Sequence, residues 1–305
     1  MQSIADTTSL LRPSLRVLDE ASWHAQRDLH HARIDEWIRP RIERRGRGLR
    51  HPVEDFLFDY YSFRPALLRR WHPGLGIGLK GDAASYITWR GYITIDDVVT
   101  VEPNMFNSRL ADITQAISIL ESTRSRTPQF GCLGLHEWAM VYRIDDHQLR
   151  HSDWPLRLSP DEIANVVTSH GLRCTHFDAF RFFTPAALPL NAQSLSRTDQ
   201  VKREQGGCLH ANMDLYKWAF MAVPLIDSNL VADCFDLALR IRAVDMRASP
   251  YDFRTLGYEP IALETSTGRA EYVAAQRSFA DEAAVLRGRL LARLIPIRNA
   301  LTITE

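Results

Sequence analysis

The stretch GGCLHANMDLYKWAFM, Gly206 to Met221, decides the reading of the fold, because it places Cys208, His210, Asn212 and Asp214 among apolar residues behind a pair of glycines. Its pattern predicts a helix opening near Cys208. Four residues advance a helix by one turn plus about 40°, so His210 and Asp214 are expected to act as a pair on one face. Leu209, Met213 and Trp218 are left to bury elsewhere, and Cys208 is expected only to pack.

Two earlier stretches share this grammar: FGCLGLHEWAMVYR, Phe130 to Arg143, and LRCTHFDAFRFFTP, Leu172 to Pro185. Each brings a histidine to the start of an expected helix, His136 beside Glu137 and His176 two residues before Asp178. His176 and Asp178 share no helix face unless the helix begins between them. A fourth cluster, His51 with Glu54 and Asp55, has the i,i+3 and i,i+4 spacings of one helix face.

Outward from these stretches the chain reads as mainly α (α+β): a single helix-rich domain over residues 1–305 with a small β insertion. N-terminal helices are expected over 13–72, a β-hairpin or small sheet over 74–103, and a helical core over 105–296. The first helical pattern runs from Pro13 to Arg45, and Pro40 is expected to end or kink it near Arg39. Pro52 is placed to start the next helical stretch and Pro65 to interrupt it. YITWRGYITIDDVVTV alternates aromatic and β-branched residues, with the turn expected around Arg90-Gly91. Pro73-Gly74-Leu75-Gly76 has the look of the hairpin in helix-hairpin-helix DNA repair enzymes, but the residues after it are strand-like where that motif needs a second helix. SPDEIANVVTSHG carries an N-cap Ser159, Pro160 at the first position, Glu162 for a capping box and Gly171 beyond the end. A long helix is expected to stop before Pro250, and another to run from Gly268 to Leu294.

The 305 residues are 45% hydrophobic, enough for a sizeable core, and 37 basic side chains balance 37 acidic ones. With no global cationic field, any nucleic-acid binding must come from local patches. All but three of the basic residues are arginine, a bias that lowers the meaning of the run from Arg39 to Arg50 as a phosphate site. Cys132, Cys174, Cys208 and Cys234 have no disulfide-framework spacing and lack the paired two-residue gaps of a zinc finger, so reduced thiols and a cytoplasmic location are expected. MQSIADTTSLLRPSL lacks the basic and long apolar regions of a signal peptide, and no membrane span is expected. Oligomeric state is not legible.

Two chemistries fit the histidines and carboxylates. In one, His136, His176, His210 and Asp214 bind iron or manganese for a reaction on a small molecule, with Glu137 or Asp178 bound to the ion or to its ligands. In the other, a carboxylate such as Asp178 or Asp214 activates water or stabilises a cationic transition state without any metal cofactor. A third possibility is a non-enzymatic helical binding protein in which these groups only satisfy one another. Asp245, Arg247, Ser249, Tyr251 and Asp252 form either a polar pocket wall or a helix stop.

HPVEDFLFDYYSFRPALLRRWHPG, FGCLGLHEWAMVYR, HFDAFRFFTP and GCLHANMDLYKWA together resemble a family of actinobacterial 3-methyladenine DNA glycosylases, over residues His30 to Leu290. The resemblance implies an N-glycosylase that extrudes an alkylated purine from damaged DNA. Tyr60, Tyr61, Trp138 or Trp218 would stack on the base with Arg181 beside it, and Asp178, Asp214, Glu54 or Glu137 would serve as catalytic carboxylates.

Overall fold

The computed structural model describes residues 15–144 and 154–302; residues 13 and 14 of the expected first helix, and most of MQSIADTTSLLRPSL, lie outside the described residues. The chain enters as a strand, β1 (Arg16–Leu18), and only then becomes helix α1 (Glu20–Gly46). The helix starts late because Asp19 caps it, accepting from Ser22 N at 2.8 Å. Pro40 does not end it. Proline in a helix interior costs about 3 kcal/mol or more, but that cost is local, and the turn beyond it buries Arg41 against Asp55 and the Phe58 ring.

Helices α2 (Phe56–Tyr60) and α3 (Pro65–Arg69) are single short turns, with Pro65 at the first position of α3. The second helical stretch therefore starts at Phe56, four residues after Pro52. Strands β2 (Ile77–Lys80), β3 (Tyr92–Ile95) and β4 (Val98–Val101) complete a sheet of order β1-β2-β4-β3, with β1 parallel to β2 and the other pairs antiparallel. The sheet thus borrows β1 from outside the expected insertion.

Its hairpin turn is Asp96-Asp97, both at positive φ (48° and 62°), in place of the expected Arg90-Gly91. Two left-handed residues match the right-handed twist of the flanking strands, and aspartate tolerates that region. The aromatic alternation before Gly91 has a different origin. Ala84–Thr88 is a 3-10 turn, and Tyr86 packs its ring 4.7 Å from Trp89 and 5.2 Å from Tyr92.

The rest is helical: α4 (Leu110–Ser125), α5 (Leu135–Ala139), α6 (Pro160–His170), α7 (Phe177–Phe180), α8 (Gln200–Arg203), α9 (Leu209–Met221), α10 (Ser228–Arg247) and α11 (Ser266–Thr302). Helix α6 has the capping box Ser159/Glu162 and ends on Gly171 at φ 67°. Helix α10 starts on Asp227, which accepts from Leu230 N, and stops three residues before Pro250. Helix α11 runs past Leu294 and through Pro296, where Ile297 and Leu301 continue its buried face.

Helix α9 is buried on nearly every side, packed against α10 and α11, which is why so few of its residues are charged. Its approach is tight. A Cβ on Gly207 would stand 2.3 Å from Gln129 O, so glycine lets the chain before α5 lie against the start of α9. Gln205 Oε1 fastens the two, accepting from Gln129 N and Gly207 N at 2.7 Å each. No helix among the described residues is long and apolar enough to cross a membrane.

Candidate functional site

Helices α5, α7, α9 and α10 carry a buried centre. On α5, the left-handed Gly134 (φ 66°) lies so close to Tyr272 that a Cβ would be 2.8 Å from its hydroxyl, and the turn behind it buries His136 and Glu137. His136 Nε2 sits 3.1 Å from Asp245 Oδ1 and 3.2 Å from Oδ2, but only the second contact has hydrogen-bond geometry. Arg242, one turn earlier on α10, donates to Glu137 Oε1 at 2.9 Å, lies 3.6 Å from Asp245 and rests 3.7 Å over the Phe56 ring.

His176 precedes the first turn of α7, which contains Asp178. Its Nε2 lies 3.3 Å from Asp214 Oδ2 on α9 and 3.3 Å from Glu204 Oε1 just beyond α8. Gln200 Nε2 donates to that same Glu204 oxygen at 2.7 Å.

His210 joins the two groups. Its ring meets His136 edge-on at 4.4 Å and lies nearly parallel to His176 at 5.4 Å. In the trio His136, His210 and Asp245 the ligand atoms all fall within 4.8 Å of one another, and the same holds for His176, Glu204 and Asp214. Neither trio includes a cysteine, and all four cysteines are free.

Electrostatics reflect burial. Desolvation opposes charge on His136, yet Asp245 and Cys132 raise it well above the ordinary imidazole value. His176 is raised too, against its burial, by Glu204 and Asp214. His210 goes the other way, pushed well below its usual value by burial and then by His136. Burial would lift Asp214, but the His176 contact, Lys217 and the Tyr61 hydroxyl bring it down to about 2. Burial raises Glu204. The permanent cations that contact these carboxylates directly are Arg242 and Lys217, so the remaining charge balance falls to the imidazoles or to a bound cation. Three atoms of this centre, Asp245 Oδ1, His176 Nδ1 and Arg242 Nε, are buried without a hydrogen-bond partner among the described residues.

Beside the centre opens a cavity of about 560 Å³, bounded by Tyr60, Tyr61, Phe63, Asp178, Arg181, Arg197 and Lys217, with Arg109, Asp112, Phe220 and Met221. Two residues form the wall between them. Tyr61 donates to Asp214 Oδ1 at 2.6 Å, and Lys217 Nζ lies 3.8 Å from both Asp178 and Asp214.

The structure brings His136, His176, His210 and Asp214 together, with Glu137 held by Arg242 at the edge, and puts Tyr60, Tyr61, Asp178 and Arg181 on the cavity. Other expectations land elsewhere. Asp214 takes its hydrogen bonds from Tyr61 and His176, not from His210. Glu54 is half-exposed and paired with Arg44 at 2.7 Å, while His51 Nδ1 accepts from Glu54 N inside the same loop and Asp55 ties that loop to α1 through Arg44. Arg41, Arg44 and Arg45 of the arginine run are taken up by Asp55, Glu54 and Asp59. Trp138 is a core residue that donates to Ala248 O, and Trp218 is buried with Lys217 over its ring.

Sequence reasoning missed Glu204 and left Asp245 between pocket wall and helix stop. Glu204 sits in an irregular link before Gly206, where no periodicity marks it. Asp245 did carry a signal, an acidic residue at i,i+3 from Arg242 and four residues after the apolar Ile241. No protein-family model, no curated protein and no solved structure matches this chain.

Proposed function

We propose that the protein is a metal-dependent enzyme acting on a small molecule, with iron or manganese held by His136, His210 and Asp245 and by His176, Glu204 and Asp214. One observation carries the reading: two imidazoles and a carboxylate converge within 4.8 Å in a buried site whose Asp245 Oδ1 has no hydrogen-bond partner. Two histidines and one carboxylate are a donor set that suits non-haem iron. Bonds of about 2.0–2.2 Å place neighbouring ligand atoms roughly 3–3.4 Å apart, and the His–carboxylate separations here are 3.1–3.3 Å. A bound ion would supply Lewis acidity or redox capacity. The chain itself supplies a dry setting, Tyr61 and Lys217 to orient Asp214, and Asp178 as a carboxylate facing the cavity for proton transfer.

Elemental analysis of protein purified without chelator tests this. At least one equivalent of iron or manganese is expected, lost in His136→Ala and Asp245→Asn with the fold retained. Less than about a tenth of an equivalent of any transition metal removes the proposal.

The cavity favours one second reading, a metal-independent N-glycosylase acting on damaged DNA. Tyr60 and Tyr61 flank Asp178 in a space able to take a planar base, and Arg181 and Arg197 could meet a phosphate. Release of methylated purine from duplex DNA decides it. No release, together with no salt-dependent affinity for DNA, rejects it.

A further inference from the structure

Three cations surround a single carboxylate on the cavity wall. Arg181 Nε lies 3.1 Å and an Arg197 nitrogen 3.4 Å from Asp178 Oδ1, and Lys217 Nζ lies 3.8 Å from Oδ2. With Arg109 and Asp112, which also line the cavity, and Asp214, which Lys217 touches through its wall, four cations face three carboxylates. Positive charge is therefore left over at the cavity. Like charges held this close repel one another unless an anion joins them. The guanidinium groups are also held in place, Arg181 over Phe182 at 4.1 Å and Arg197 over Phe177 at 5.4 Å. Across the same cavity, Phe63 and Phe220 stack at 4.1 Å, which offers a flat apolar surface.

We propose that this cavity recognises a substrate with an anionic group, phosphate or carboxylate, on a small planar apolar body. Arg181, Arg197 and Lys217 hold the anion, with guanidinium forks suited to two parallel hydrogen bonds. Phe63, Phe220 and Tyr60 take the flat body. The inference deepens the metal-enzyme reading and rests on it for the reaction alone. Lys217 and Tyr61 both touch Asp214, so a molecule anchored there lies against the wall of the centre.

Calorimetric titration with phenyl phosphate, benzoate and inorganic phosphate tests the proposal, using full-length protein both as purified and after chelator treatment. An aromatic anion is expected to bind in both preparations and more tightly than inorganic phosphate. The stronger of phenyl phosphate and benzoate identifies which anion the substrate carries. Arg197→Gln changes an exposed side chain and leaves the fold alone; it should weaken binding about tenfold, the effect of losing a charge-assisted hydrogen bond. Asp178→Asn removes the competing carboxylate and should tighten it. No binding of either aromatic anion, binding indifferent to Arg197→Gln and Arg181→Gln, or weaker binding in Asp178→Asn overturns the inference. Binding only to metal-loaded protein also overturns it and leaves the metal centre standing. Binding to protein that proves metal-free supports the anion site and removes the metal enzyme.

Discussion

The Tyr61 hydroxyl donates to Asp214 Oδ1 across 2.6 Å, linking two residues 153 positions apart and separating the cavity from the buried histidines. A hydrogen bond to a charged acceptor contributes about 1.5–3 kcal/mol. Tyr61→Phe should lose about that much in urea unfolding while keeping the iron or manganese proposed for the centre, because His176 and Lys217 still hold Asp214. Metal loss from an equally stable variant would show that the hydroxyl acts on the centre itself.

Asp214→Asn keeps the shape of a proposed metal ligand and removes its charge. Far-ultraviolet circular dichroism should be unchanged, and metal content should fall by roughly tenfold or more. Cys208, buried at the mouth of α9 with its thiol pushed up by burial, belongs to neither trio. Cys208→Ala should cost about 1 kcal/mol and no metal. The reverse pattern would exchange the structural and chemical roles of these two residues.

Arg242 is almost fully buried between Glu137 and Asp245. Removing one partner of such a pair leaves an uncompensated charge and costs about 3–5 kcal/mol. Arg242→Met should therefore be strongly destabilised, and the double variant Arg242→Met, Glu137→Gln should recover part of the loss. Urea midpoints of the parent, the two single variants and the double variant measure this, and strict additivity would mean the two side chains do not share a buried ion pair.

His30 is held neutral beneath α3, its Nε2 3.0 Å from Leu68 O. Burial, then the charges of His31, Arg33 and Arg69, bring it down to about 4 from an ordinary 6.5. The unfolded chain thus binds the proton first as pH falls. Stability from this group is complete above pH 6.5 and is lost as pH drops through 4. His72, buried by Trp89 and Tyr92 and lowered to about 3, adds to the same slope. His30→Gln should flatten, without abolishing, the decline in urea midpoint between pH 6.5 and 4; an unaltered decline would place the acid sensitivity elsewhere.

Sequence alone determined what acts within a turn or two of chain. The capping box of Ser159 and Glu162 closes between residues three apart, and the stop of α10 before Pro250 is a property of proline's own ring. Likewise His136, His176 and His210 announced themselves because ionisable groups in apolar helices need partners. Tertiary structure decided the partners. His176 meets Asp214 across 38 positions and His136 meets Asp245 across 109, distances over which spacing carries no information. That is why Asp214 faces His176 and Tyr61 although His210 shares its helix, and why Glu204 entered unseen. Packing also outweighed local rules where the two met. Pro40 and Pro296 lie inside continuous helices because buried side chains follow each, Arg41 after the first and Ile297 and Leu301 after the second, and the hairpin turns at Asp96-Asp97 because Tyr86, Trp89 and Tyr92 gather around one another instead of alternating along a strand.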